Sequence, residues 1–231
     1  MLKVILFDID NTLLSFDDYV RETMKTGFRK FGLPDYEEEM FPVFTKINNS
    51  LWESIERQEL TFDELQLIRW NRIFESLQMK ADGIAFEAYF RNCLYESAIP
   101  VPGALDLLSA LKDKYQLFTA SNGPYEQQIH RMQISGMDSF FSAHFISEDI
   151  GASKPSEEFF QECFRRIREI TGTAIEKEEM LIIGDSLSSD IAGGKNAGIR
   201  TCFYDPKGKE IPDELQPDYT VQTLAEIKEL L

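Results

Sequence analysis

Two hydrophobic rhythms divide the chain. From about Pro100 onward, short apolar runs alternate with amphipathic stretches: "YQLFTASN" (115–122), "AHFIS" (143–147), "MLIIGD" (180–185) and "RTCFY" (200–204) are rich in β-branched and aromatic residues and bounded by turn formers, which predicts strands. Between them, "GALDLLSALKDK" carries apolar residues at helical spacing, "PSEEFFQECFRRIREITG" predicts a helix from near Ser156 to a stop at Gly172, and "SSDIAGGKNAG" predicts one ending at Gly198. The segment "DPKGKEIPDELQPD" (205–218) reads as a loop before a last short strand, "YTV". Near the N-terminus, "KVILFDIDNTLL" (3–14) supplies one more strand, Val4 to Phe7. Strands separated by helices of this length require crossover connections, and so a parallel sheet covered on both faces.

Residues 17–96 break the alternation. "DDYVRETMKTGFRKFG" sets Val20, Met24, Phe28 and Phe31 along one helical face and ends at Gly32, and "TFDELQLIRWNRIFESL" opens with a capping box from Thr61 to Glu64. No strand signal occurs there. The expected organisation is an α/β, Rossmann-like parallel-sheet core from residues 1–16 and 97–231, with an α-helical domain of residues 17–96 inserted after the first strand.

Composition narrows the class. Hydrophobic residues make up 43% and charged ones 28% of 231 residues, ordinary for a globular protein. No apolar run approaches the roughly 20 residues of a membrane span, and Lys3 and Asp8 interrupt the N-terminal one too early for a secretory segment, so a cytoplasmic protein with no membrane association is expected. Cys93, Cys163 and Cys202 are scattered without CxxC spacing, and His130 and His144 lie far from any cysteine pair, which argues for reduced thiols and against zinc. A net charge of −16 repels nucleic acid and would also repel an anionic substrate, unless the site brings its own cations.

The polar groups that follow the predicted strands make such a site. In an open parallel sheet, ligands bind beyond the carboxyl ends of the strands. Asp8 and Asp10 follow the first strand, Ser121, Asn122 and Gly123 the second, Lys154 and Pro155 lie beyond the third, and "GDSLSSD" with Asp185 and Asp190 ends the fourth. Converging carboxylates repel one another, and the simplest compensation is a hard divalent cation. Magnesium suits oxygen ligands and is commonly shared with a substrate phosphate. With Lys154 it supplies the positive charge an anion needs, while Ser121 and the backbone amides near Asn122 and Gly123 offer hydrogen bonds to phosphate oxygens. One aspartate then serves as nucleophile and the other as acid and base; in an extended strand end, side chains two residues apart share a side, so Asp8 and Asp10 are expected to flank one phosphorus.

The set "DIDNT", "SNG", "KP" and "GDSLSSD" resembles the four motifs of the haloacid dehalogenase superfamily of phosphohydrolases, over essentially the whole chain. The resemblance implies Asp8 as nucleophile, Asp10 as general acid and base, and Ser121 and Lys154 as stabilisers of phosphate and intermediate. It also implies Mg2+ held by Asp8, the backbone carbonyl of Asp10 and Asp185, with Asp190 supporting the metal site or Lys154. The inserted helical domain resembles the α-helical cap of one subfamily. "DNTLLSFDD", "INNSLWESIERQELTFDELQ" and "ISEDIGASKP" resemble the bacterial pyrimidine 5′-nucleotidase branch that acts on noncanonical nucleotides. The implied function is a phosphomonoester hydrolase working through an aspartyl-phosphate, with a nucleoside monophosphate as partner and a monomeric or small homo-oligomeric state. A sugar-phosphate phosphatase or phosphomutase of the same fold, and a non-catalytic binding protein on this scaffold, are the alternatives. An acid at Asp10 favours phosphate esters over carbon–halogen bonds, and Asn11 departs from the glycine of many members. Substrate selection is expected from Phe16 and Asp17 at the entry to the cap and from Asn48 and Trp52 within it, with Trp70 either stacking on a base or lying in the core.

Overall fold

A computed structural model describes all residues, 1–231. The chain divides into two compact units, Met1–Ser15 with Ala98–Leu231, and Phe16–Ser97.

The first unit is built on six strands: β1 (Val4–Phe7), β2 (Gln116–Ser121), β3 (Ala143–Ile146), β4 (Met180–Gly184), β5 (Arg200–Tyr204) and β6 (Tyr219–Val221). They form one sheet in the order β3-β2-β1-β4-β5-β6, with every neighbouring pair parallel. The central strand shows why its sequence is apolar throughout. Ile5 and Phe7 face one hydrophobic cluster, Val4 and Leu6 the other, and all four are fully buried. Helices α5 (Ala104–Leu111), α6 (Tyr125–Ile134) and α10 (Leu224–Leu230) contribute to the first cluster through Leu107, Leu108, Leu111, Met132, Leu224 and Ile227. Helices α8 (Glu157–Thr171) and α9 (Ala192–Ala197) contribute Phe159, Phe160, Cys163, Ile167 and Ala197 to the second. A short helix, α7 (Ser147–Ile150), follows β3.

Local chemistry sets the ends of these elements. The Ser156 hydroxyl accepts from the Phe159 N–H to start α8, and Gly172, at φ 66°, ends it in the left-handed conformation that glycine takes without strain. The stretch predicted as one helix up to Gly198 has two parts, a π-helical turn over Leu187–Ile191 and then α9. The Asp190 and Ile191 N–H groups both donate to the Ser186 carbonyl at 3.1 Å, while the Ser186 side chain caps Ser189 N–H. The chain leaves and re-enters this unit side by side: Ser15 N–H donates to Ile99 O (2.7 Å), Val101 N–H to Leu13 O (2.9 Å), and Leu14 bridges Pro100 antiparallel.

The second unit is helical: α1 (Phe16–Lys30), α2 (Met40–Glu56), α3 (Phe62–Ser76) and α4 (Gly83–Tyr95). Val20, Met24 and Phe28 of α1 are buried, and Thr61 with Glu64 forms the capping box of α3. The core is aromatic, with Phe44, Trp70, Phe74, Phe86 and Phe90 in mutual ring contact. Through this core runs a buried polar bridge. Arg69 donates to both Glu87 oxygens (3.0 and 2.5 Å) and to Asn48 Oδ1 (3.0 Å). No helix in either unit is long and apolar enough to cross a membrane.

Candidate active site

The strand order 3-2-1-4-5-6 reverses direction between β1 and β4, and the crevice at such a switch point is where open α/β sheets bind ligands. Asp8 leaves β1 and Asp185 leaves β4 at that point. One carboxylate oxygen each from Asp8, Asp185 and Asp190 lies within 4.8 Å of the others.

Lys154 is the counter-charge. Its ammonium is buried and donates to Asp8 Oδ1 (2.8 Å), Asp190 Oδ1 (2.5 Å) and the Ala120 carbonyl (2.6 Å), one acceptor for each of its hydrogens. Burial opposes its charge, but the attraction of Asp190 and Asp8 outweighs this and holds the ammonium above its ordinary value. Burial pushes the Asp8 carboxyl well up; Lys154 pulls it back, and the nearby charges of Asp190 and Asp185 push it further up. Lys154, together with Lys209 whose Nζ lies 4.0 Å from Asp185 Oδ2, sets two cations against three carboxylates and leaves an excess of negative charge. An all-oxygen donor set with that excess fits a hard divalent cation, which would favour the ionised form of Asp8.

Asp190 reaches this cluster because residue 184 is glycine. A β-carbon on Gly184 would stand 2.1 Å from Asp190 Oδ2, the oxygen that accepts from Ser186 N–H at 3.1 Å.

Asp10 is held by partners other than those of Asp8. The strand stops at Phe7, and the Thr12, Leu13 and Leu14 N–H groups turn back onto the Ile9 carbonyl. Asn11 takes φ 60° in this turn, a left-handed conformation that asparagine tolerates better than most residues, so glycine is not required there. Asp8 Oδ1 accepts from Lys154 Nζ, whereas Asp10 Oδ1 accepts from Arg131 Nη1 and Oδ2 from Gln128 Nε2, all at 2.8 Å.

Ser121 is buried at the end of β2 and accepts from Gln128 Nε2 at 2.9 Å. The Asn122 side chain is already in use at both ends: Nδ2 donates to Lys154 O (2.9 Å) and Oδ1 accepts from Lys154 N–H (2.8 Å). It shapes the lysine loop, which leaves its main chain as the group it can offer an anion. Gly123 N–H donates to Ser147 Oγ at 3.0 Å.

In the helical unit, Asn48 and Trp70 are buried, Trp70 among the aromatic rings and Asn48 against Arg69. Trp52 lies partly exposed beside Phe62, with ring centroids 5.7 Å apart. Phe16 packs on Tyr19, Phe44 and Phe90, and Asp17 sits in the first turn of α1.

Three residues of this site carry no motif signal: Gln128, Arg131 and Lys209. Lys209 donates to the Asp185 carbonyl at 3.0 Å. It lies in the 205–218 segment, where sequence pattern showed only a loop.

The model of the haloacid dehalogenase-like hydrolases matches residues 2–198. The chain belongs to that family. Among its relatives are YfnB of Bacillus subtilis, named a HAD-hydrolase, 34% identical over 99% of this chain and 95% of YfnB. The pyrimidine 5′-nucleotidase PynA of Streptococcus pneumoniae is 32% identical over 99% of this chain and 94% of its own length. The pyrimidine 5′-nucleotidase YjjG of Escherichia coli is 32% identical over 98% and 96%. A magnesium-bound crystal structure of YfnB superimposes with a TM-score of 0.89, covering 100% of this chain and 98% of that one at 33% identity. A haloacid dehalogenase-like hydrolase thus carries its acidic cluster, buried lysine and second aspartate at the switch point of the sheet.

Proposed function

We propose that this hydrolase is a magnesium-dependent phosphomonoesterase that cleaves pyrimidine nucleoside 5′-monophosphates through an aspartyl-phosphate. The observation that carries the chemistry is Asp8 anchored by Lys154 within the carboxylate cluster, with Asp10 two residues on and separately held. The nucleotide preference rests on PynA and YjjG, each related over nearly its full length.

Lys154 fixes Asp8 Oδ1, which leaves Oδ2 to attack phosphorus as the ester P–O bond breaks. Asp10 gives its proton to the departing alcohol oxygen. It then takes a proton from the water that attacks the phosphorus of the acylphosphate, so that the Asp8–phosphorus linkage breaks and inorganic phosphate leaves. Ser121 donates to a phosphoryl oxygen, while Lys154, whose three hydrogens are taken by Asp8, Asp190 and Ala120, acts on the phosphoryl group through its charge, and Asp190 keeps the lysine in place. Asp8, Asp185 and the Asp10 carbonyl would hold magnesium, which when bound would neutralise charge on the transferring phosphoryl group.

The test is phosphate release at fixed magnesium across nucleoside monophosphates, sugar phosphates and phosphorylated cofactors, with Asp8→Asn in parallel. Pyrimidine monophosphates should give the highest kcat/KM, and Asp8→Asn should fall to background. Preference for a sugar phosphate would overturn the nucleotide reading, and retained turnover in Asp8→Asn the nucleophile assignment.

A further inference from the structure

Two residues of α6 touch Asp10, and neither belongs to the strand-end motifs. Gln128 and Arg131 are each 1% exposed and one helical turn apart, so their side chains share a face. A buried guanidinium and a buried amide are costly unless their polar atoms find partners. Here the partners are the proposed machinery itself: Arg131 Nη1 donates to Asp10 Oδ1 and to Gln128 Oε1, both at 2.8 Å, and Gln128 Nε2 donates to Asp10 Oδ2 (2.8 Å) and Ser121 Oγ (2.9 Å).

The donor and acceptor inventory gives this arrangement a direction. Arg131 has only donors, so the Gln128 atom facing it is the carbonyl oxygen, and the amide hydrogens point to Asp10 and Ser121. One of those hydrogens occupies a lone pair of Ser121 Oγ, so the serine's own hydrogen is directed to a different acceptor. A phosphate oxygen is such an acceptor. The other hydrogen, with Arg131, fixes both oxygens of Asp10.

We propose that Gln128 and Arg131 are positioning residues for the reaction: they hold the Asp10 carboxyl where it meets the leaving-group oxygen and orient the Ser121 hydroxyl as a donor to phosphate. This rests on the reading of Asp10 as acid and base. Displacement of a catalytic group by about 1 Å costs on the order of 100-fold in rate. The loss should fall on substrates whose leaving group needs a proton.

The experiment compares kcat/KM, which reports the steps through aspartyl-phosphate formation, for a pyrimidine nucleoside monophosphate and for p-nitrophenyl phosphate, whose phenolate departs without a proton. In Arg131→Met and Gln128→Met, kcat/KM on the nucleotide should drop by about 100-fold and by at least about tenfold more than on the aryl ester. Arg131→Lys should recover part of the difference. Gln128→Glu, which replaces the donor facing Asp10 by an acceptor at nearly constant shape, should show the same split and carries the test if the buried arginine variants do not fold. The Ser121 contribution falls on both substrates alike, so equal losses on both would show that neither residue acts through Asp10 and overturn the proposal. Asp10→Asn is the control. If it shows the split and the α6 variants do not, the positioning role alone fails; if it lowers both substrates alike, the acid–base reading fails first.

Discussion

At the scale of single residues, Lys154 decides whether the site can exist. Its three ammonium hydrogens meet three acceptors, two of them carboxylates, and the group is buried. Removing one member of a buried charge network leaves the others unpaired, at a cost of about 3–5 kcal/mol. Lys154→Met should therefore lower the unfolding free energy in urea by that order as well as abolish phosphate release; an unchanged urea midpoint would contradict the pairing of Lys154 with Asp8 and Asp190. Lysine and aspartates were legible because each follows a predicted strand, where a parallel sheet opens its ligand crevice. Gln128 and Arg131 were not. Nothing in the pattern of "YEQQIHRMQI" singles them out, and only the packing of α6 beside the Asp10 turn brings them to the site.

At the scale of elements, the apolar rhythm gave β1 to its ends and α8 with both caps, because burial on two faces and a Ser156–Gly172 frame leave local marks. The π-helical turn left none. It arises where the Ser186 carbonyl takes two N–H donors and Asp190 lies against Gly184, contacts that depend on the neighbouring strand end. Arg69 is a parallel case in the helical unit: "QLIRWNRIFESL" puts an arginine within an apolar helix, and its partner Glu87 is supplied by a different helix. Arg69→Met should destabilise the protein by about 3–5 kcal/mol, and adding Glu87→Met should restore much of the loss, since an apolar pair of similar volume often replaces a buried ion pair without cost. Thermal unfolding of the single and double variants checks this; a double variant less stable than the single would contradict it.

At the scale of the whole molecule, the parallel sheet was legible from the alternation of strands and helices, but its order was not, since strand neighbours are fixed by crossovers rather than local pattern. The dependence of stability on acidity is also a property of the folded whole. His144 accepts the Thr119 hydroxyl at Nδ1 (2.9 Å) and gives its Nε2–H to Asp138 (3.0 Å), the neutral tautomer. Burial holds the ring below its ordinary value, with Asp138 opposing. The unfolded chain therefore takes up this proton at higher pH than the folded one. The contribution is complete above about pH 6.5 and is lost as the pH falls through the depressed folded value. Urea midpoints at pH 7.5, 6.5 and 5.5 should show a shallower acid-side decline for His144→Gln than for the parent, and parallel declines would refute the assignment.

The side-by-side exit and return of the chain at Leu13–Ser15 and Ile99–Val101 has an evolutionary consequence. Because the sheet unit itself holds these two crossings together, whatever is spliced between them is a loop whose ends are already closed. The entropy of closing a flexible loop rises only with the logarithm of its length, about 0.6 kcal/mol for each doubling. The sheet and its acidic cluster can thus host inserts of very different size at nearly constant thermodynamic burden, which makes this junction a place where one inserted unit can be exchanged for another while the sheet unit is left unchanged.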